Sequence, residues 1–264
     1  MTITKVITHR GLDPDRAPYF PESSSEAFID QLERGYGLEF DVQFSENGEL
    51  IVSHDSDLNK SHLTTLPKLL ELIDKKSSKE SLSALHLKHG GQTPEKIDQI
   101  LFALEKINPN KFIIFDTTIE SAKYIKNKNP KIQIAGSVSH PYDILRYNKV
   151  VGGTLLTIEQ LISNKNLFSW AWLDEWDRTD QNGKTKSLYN EETFDKLRKE
   201  KIKIALVTPE LHATSPGLLG GESHPDARDR ETLNKRLVEI IVLKPDAVCT
   251  DYPDNVSQIV ARSS

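Results

Sequence analysis

At 264 residues, 37% hydrophobic and 28% charged, the chain is long and apolar enough to fill one large core and is not a disordered composition. Its 34 basic and 39 acidic side chains leave a net charge of −5, which argues against non-specific nucleic-acid binding, since that needs a basic footprint. A single cysteine, Cys249, excludes an intrachain disulfide framework and a cysteine zinc site, and no run approaches the ~20 apolar residues of a membrane span. The N-terminus carries no signal-peptide apolar region, so the expectation is a soluble, cytoplasmic chain folded as a single domain over 1–264, without stable membrane insertion.

The predicted elements alternate from end to end. Val6 and Ile7 mark a first strand over 5–8, which ends in His9-Arg10-Gly11. Ser23-Ser24-Ser25-Glu26 fits a capping box with Ser23 at the N-cap. The helix it opens has the stripe Ala27, Phe28, Ile29, Leu32 and a terminator at Gly35 or Gly37. Leu38-Glu39-Phe40-Asp41-Val42 alternates strictly, the signal of a strand. Asn47-Gly48 turns the chain into a hairpin whose second arm, 50–54, ends in His54. A helix over 66–73 and a strand over 85–88 follow. Thr93-Pro94 starts the next helix, with Pro at its first position.

Further strands are predicted over 112–115, 132–137, 168–173, 202–207 and 247–250. Helices are predicted over 119–125, 142–147, 191–199, 231–242 and 255–261. About eight strand–helix units over a length near ~250 residues predict an α/β fold, the TIM (β/α)8 barrel. Two long loops, 178–186 and 213–230, interrupt the pattern, and the second has the length of a lid.

Active sites of such barrels lie at the C-terminal ends of the strands. Ionisable residues stand at nearly all of those ends: His9 and Arg10, Glu39 and Asp41, His86 and Lys88, Asp116, Asp174, Glu210 and Asp251. Glu39 and Asp41 are two apart in a strand, so they share a face, and the apolar opposite face belongs against helices. Two confined carboxylates repel, and one takes up a proton unless a cation intervenes. Carboxylate oxygens suit Mg²⁺ or Ca²⁺. His9 ends the first strand and His54 ends a hairpin arm that folds back beside the second, so both can approach one mouth, and imidazoles can divide proton transfer as base and acid. Arg10 and Lys88 add positive charge that binds phosphate, although Lys88 also has a structural reading as the ion-pair partner of Glu39 or Asp41. Carboxylates, a divalent metal ion, two histidines and two cations together suggest cleavage of a phosphodiester.

His9-Arg10-Gly11, Pro21-Glu22-Ser23, Glu39-Phe40-Asp41-Val42, the block from Asn47 to Asp55, Lys88, and Cys249-Thr250-Asp251-Tyr252-Pro253 resemble the glycerophosphodiester phosphodiesterase family. The resemblance implies a TIM barrel, a divalent cation, and hydrolysis of a glycerol phosphodiester to glycerol 3-phosphate and an alcohol. It implies Glu39 and Asp41 as metal ligands, His9 and His54 as the acid/base pair, and Arg10 and Lys88 as phosphate-binding groups. Three features depart from the family pattern. His86 stands where a metal-binding glutamate is usual, and either His86 or Asp116 is left to complete the ligand set. Ser23 replaces the usual Asn. The segments around Trp172-Leu173-Asp174-Glu175-Trp176 and Val207–His212 are unlike the common members. Asp174 lies across the barrel from the second strand and is assigned to substrate binding; Trp170, Trp172 and Trp176 are either pocket walls or core. The alternatives are a degenerate member that binds a phosphorylated ligand without turnover and, last, a phosphosugar isomerase, for which 207–212 and 249–253 provide no glycine-rich phosphate loop.

Overall fold

The computed structural model describes residues 4–55, 57–58, 62–175, 182, 184–209 and 229–263. The first third of the chain gives β1 (Lys5–His9), α1 (Ser25–Glu33), β2 (Gly37–Phe44), β3 (Leu50–Val52), β4 (Thr64–Thr65), α2 (Leu66–Lys76) and β5 (Ser83–Leu87). The middle gives α3 (Pro94–Leu104), β6 (Phe112–Phe115), α4 (Ile119–Lys128), β7 (Ala135–Val138), α5 (Pro141–Tyr147) and α6 (Ile158–Ser163). The last part gives β8 (Trp170–Leu173), α7 (Glu191–Lys199), β9 (Lys203–Val207), α8 (Arg230–Val242), β10 (Ala247–Thr250) and α9 (Pro253–Ser263).

The strands form a ring. β1 pairs in parallel with β10 and β2, β2 with β5, and β5 with β6. β7, β8, β9 and β10 continue in parallel. Between β6 and β7 the ladder is a single parallel bridge, Ile114 to Ile134, with Ile114 N–H donating to the Gln133 carbonyl at 3.0 Å. The result is a TIM barrel, with β3 and β4 hung on β2 as antiparallel arms.

Strand alternation sorts the core into two layers. Leu38, Phe40, Val42, Leu85, Leu87, Ile114, Leu206 and Val248 pack outward with the helices. Ile7, Ala84, Ile113, Phe115, Ala135, Trp170, Trp172, Ala205, Ala247 and Cys249 fill the interior. Trp170 and Trp172 are therefore core residues, 2% and 4% exposed. Trp170 Nε1 donates to Gln133 Oε1 at 2.9 Å. Trp176, Glu210 and most of both long loops lie outside the described residues.

Several boundaries differ from the sequence reading, each for a local reason. The N-cap of α1 is Ser24, whose hydroxyl accepts from Ala27 N–H at 3.1 Å. Ser23 cannot serve, because its backbone is left-handed at φ 58° and a cap needs extended geometry. Gly35 ends the helix as expected: at φ 87° it lets Gly35 N–H reach the Leu32 carbonyl and Tyr36 N–H reach that of Gln31. The strand expected over 132–137 pairs with β8 only from Ala135 onward. The hairpin arm expected over 50–54 is a strand only over Leu50–Val52, with Ser53 N–H still donating to the Asp41 carbonyl at 3.1 Å. Helix α6 was not anticipated, although Thr157 and Gln160 form a reciprocal capping box there.

Entry into β2 depends on one residue. A Cβ added at Gly37 would lie 1.7 Å from the Leu82 carbonyl oxygen, a backbone atom that cannot move aside. Gly37→Ala is expected to destabilise the fold by at least ~3 kcal/mol, the upper range for overpacking, read as a lower denaturant midpoint in circular dichroism. An unchanged midpoint would mean that β2 and β5 can separate freely at this end.

Candidate active site at the mouth of the barrel

The parallel register assembles the site. His9 lies opposite Glu39 across β1 and β2, and Asp41 lies opposite His86 across β2 and β5. Glu39 and Asp41 are 3% and 1% exposed, so both carboxylates face the interior while their neighbours Leu38, Phe40 and Val42 pack on the helices.

Asp41 carries most of the contacts. Its Oδ1 lies 2.6 Å from His86 Nδ1 and 3.0 Å from Lys88 Nζ. Arg10 Nε is 3.6 Å from its Oδ2. Glu39 Oε2 is 4.0 Å from His9 Nε2 and accepts from the Arg10 N–H at 3.3 Å. The two acids diverge electrically. Burial and then the charge of Asp41 push Glu39 up. Burial also opposes ionisation of Asp41, but the His86 hydrogen bond and the charges of Lys88, His86 and Arg10 outweigh it and hold Asp41 well below the usual range. Of the repelling pair, Glu39 is the one biased toward taking the proton.

His9 is fixed from behind. Its Nδ1 lies 3.0 Å from Asp251 Oδ1, at the end of β10. The sequence placed Asp251 at the mouth without a role. That contact follows from β10 closing the ring against β1. His54 arrives on the hairpin arm. Gln43 Nε2 donates to the carbonyls of Ser53, His54 and Asp55 at 2.8, 3.0 and 2.7 Å, pinning that arm to β2. Gln43 was missed, although it continues the Glu39–Asp41 face at the same two-residue spacing. Burial, with Arg10 and Lys88 adding to it against the pull of Asp41, drives the His54 imidazole down to about 4.

Asp116 ends β6 in a left-handed conformation, φ 61°. Its Oδ2 lies 2.9 Å from His86 Nε2, and its Oδ1 accepts from Thr154 Oγ1 at 2.8 Å. The His86 ring stacks on Phe115 at 4.8 Å, and Phe115 stacks on Trp172 at 4.0 Å. This aromatic column is the floor of the site. Asp174 stands at the end of β8, its N–H on the Val138 carbonyl and its own carbonyl accepting from Ser139 Oγ. After burial, its charge is the largest influence raising the Tyr189 phenol.

Glu39, Asp41 and His86 each offer a ligand atom, and these atoms all lie within 4.8 Å of one another. Two carboxylate oxygens and one imidazole nitrogen suit a divalent ion. Without one, His86 is held between two carboxylates, which overcome its burial and lift its imidazole from 6.5 to about 9. A raised pKa stabilises the fold fully below about pH 6.5 and loses that contribution as pH climbs through about 9. In chelator-stripped protein, an NMR titration of His86 should give a midpoint near 9, and Asp116→Asn should lower it. A midpoint near 6.5 would contradict the clamped geometry.

Comparison with known proteins follows the same lines. The sequence model of the glycerophosphoryl diester phosphodiesterase family matches residues 9–255. A 60-residue segment, 22% of this chain and 23% of the other, is 38% identical to the uncharacterized protein YqiK of Bacillus subtilis. The chain also resembles the crystal structure of a glycerophosphodiester phosphodiesterase from Parabacteroides distasonis, with TM-score 0.64, 19% identity, and 100% and 99% of the two chains covered. A phosphodiesterase from Oleispira antarctica, solved with the product sn-glycerol-3-phosphate, gives TM-score 0.61 at 14% identity and covers 98% and 97%. These structural likenesses establish the barrel, and the match over most of the sequence establishes the lineage: the chain belongs to the glycerophosphoryl diester phosphodiesterase family, a family of phosphoric diester hydrolases.

Proposed function

We propose that this chain, as one barrel domain over 1–264, hydrolyses a glycerophosphodiester to glycerol 3-phosphate and an alcohol. The reading includes a divalent ion, Mg²⁺ or Ca²⁺, held by Glu39, Asp41 and His86. It includes His9 and His54 as the acid/base pair, Arg10 and Lys88 on the phosphate, and Asp174 toward the rest of the substrate. The observation that carries it is the cluster of metal-competent donors Glu39, Asp41 and His86, with His9, Arg10 and Lys88 each within 4.0 Å of its carboxylates. The product bound to the Oleispira antarctica enzyme supports the substrate class. A small soluble diester and a cytoplasmic setting belong to the same reading; among the described residues no helix is long and apolar enough to cross a membrane.

The residues divide the work by geometry. Asp251 accepts the Nδ1 hydrogen of His9, which leaves Nε2 with a lone pair facing the Glu39 side of the mouth. His9 is thus the base that takes the proton of the attacking oxygen as its bond to phosphorus forms. The phosphorus–oxygen bond to the alcohol breaks, and His54 supplies the proton to that leaving oxygen. Burial, with Arg10 and Lys88 adding to it, holds His54 low in the free site, and an anionic phosphate beside the two cations offsets their share of that shift. Arg10 and Lys88 also neutralise the charge that develops on the phosphoryl oxygens. A bound divalent ion supplies further charge neutralisation at the phosphate.

The test is turnover of glycerophosphocholine and bis(p-nitrophenyl) phosphate by chelator-stripped protein, with Mg²⁺, Ca²⁺, Mn²⁺ or Zn²⁺ restored singly. Turnover should return with metal. His9→Ala and His54→Ala should each lower it about 10²–10⁴-fold. Asp251→Asn should lower kcat with little change in KM. Folded protein that binds glycerol 3-phosphate but turns nothing over with any metal would favour the binding-only alternative.

A further inference from the structure

His86 stands between two carboxylates that are not equivalent. Its Nδ1 is 2.6 Å from Asp41 Oδ1 and its Nε2 is 2.9 Å from Asp116 Oδ2. Asp41 shares with Glu39 and His86 the set of ligand atoms within 4.8 Å of one another, and Asp116 does not belong to that set. Asp116 is committed elsewhere. Its Oδ1 accepts from Thr154 Oγ1 at 2.8 Å, its N–H donates to Ser137 Oγ at 3.1 Å, and its carbonyl accepts from Gln92 Nε2 at 2.8 Å. Thr154, which locks the carboxylate, is itself fully buried. The plane of the imidazole is set by Phe115, stacked at 18° to it.

Resting on the metal reading above, we propose that His86 ligates the divalent ion through Nδ1, and that Asp116 is a positioning residue that holds the Nε2 hydrogen from outside the coordination sphere. A metal-bound histidine ordinarily donates its second ring N–H to a carboxylate or carbonyl, which fixes the tautomer, orients the ring and makes the ligating nitrogen a better donor. Asp116 and the Phe115 face do that here. The two candidates for the third ligand are then partners: the imidazole enters the place that the family gives to glutamate, and Asp116 orients it. The Thr154, Ser137 and Gln92 contacts extend the support one step further out.

Cobalt substitution of the full chain tests this without relying on turnover. Co²⁺ affinity is measured by calorimetry, and proton NMR is recorded in H₂O and D₂O. A single strongly shifted, solvent-exchangeable imidazole N–H is expected, absent in His86→Gln and retained in Glu39→Gln. Asp116→Asn should weaken Co²⁺ binding about 10–100-fold and speed exchange of that N–H into solvent. Should Asp116→Asn fail to fold, Thr154→Val loosens the same carboxylate and should move both readouts in the same direction by less. Weaker binding with the N–H unaltered in Asp116→Asn would make Asp116 a ligand and overturn the proposal. Tight Co²⁺ binding with no shifted N–H in the unsubstituted protein would remove His86 as a ligand while leaving the metal reading in place. No Co²⁺ binding at all, beside measurable phosphodiester hydrolysis, would remove both.

Discussion

Two carboxylates buried on one face of β2 are the constraint around which the mouth is built. Glu39 and Asp41 are nearly inaccessible to water, and such a pair is tolerable only if cations or protons surround it. The neighbours meet that demand from the two flanking strands: His9 and Arg10 from the end of β1, His86 from β5 and Lys88 just beyond it. The register of three adjacent parallel strands does the assembling, with His9 opposite Glu39 and Asp41 opposite His86. A slip by one residue would turn the acids outward and Phe40 inward, exchanging the two layers of the barrel. Gly37 fixes where β2 begins against Leu82, so the lower end of the strand and the chemistry at its upper end are linked through four residues of backbone.

The mouth concentrates conformational cost. Arg10, Ser23 and Asp116 all have left-handed backbones without being glycine, at roughly 1–2 kcal/mol each by the usual steric estimate. Each is held by hydrogen bonds that the strain makes possible. Arg10 N–H reaches the Glu39 carbonyl at 3.1 Å, Ser23 N–H reaches the Arg10 carbonyl at 2.9 Å, and Asp116 N–H reaches Ser137 Oγ at 3.1 Å. The stability that tolerates this lies in the outer layer, where α1, α2 and the other helices cover fully buried Phe28, Leu32, Phe40, Leu66 and Leu69. Burying one such side chain is worth ~1.5–3 kcal/mol, so a few of them offset the strained positions. On the far side, Arg236 of α8 reaches Glu175 Oε1 at 2.8 Å, and Glu175 Oε2 accepts the N–H groups of Leu188 and Tyr189. That buried pair ties the end of β8 to the helix layer.

What the sequence revealed and what it concealed divide along physical lines. The TIM barrel was legible because strand and helix periods alternate with little ambiguity, and β2 because its two faces have opposite chemistry. Element ends were less so. Ser23 and Ser24 are chemically identical, and only the backbone angle at Ser23, a tertiary consequence of its bond to Arg10, decides which one caps α1. Helix α6 buries one residue, Leu161, so its apolar signal was too thin to see beside its cap. Site residues brought together by adjacent strands were readable from spacing. Partners brought by ring closure or by a loop were not: Asp251 meets His9 across 242 positions of sequence, and Thr154 meets Asp116 across 38 from a loop with no pattern of its own. The tryptophans were ambiguous for the opposite reason, since interior core and pocket wall draw on the same residue type.

His86, at the position where the family resemblance implies a glutamate, makes physical sense only with the floor beneath it. A glutamate at that position would need no ring partner and would add a third negative charge to a buried pair. The imidazole removes that charge and requires two things in return: a flat apolar surface for the ring and an acceptor for its second nitrogen. Phe115 provides the first, itself backed by Trp172 from β8, and Asp116 provides the second from the residue immediately after Phe115. The turn at Asp116 is what lets consecutive residues serve both purposes. Phe115 points into the barrel as its strand requires, and the left-handed step at φ 61° brings the next carboxylate onto the same mouth. One histidine in a glutamate position thus draws in an aromatic column, a strained aspartate and the buried threonine that locks it, so the departure is a connected set of residues and not an isolated substitution.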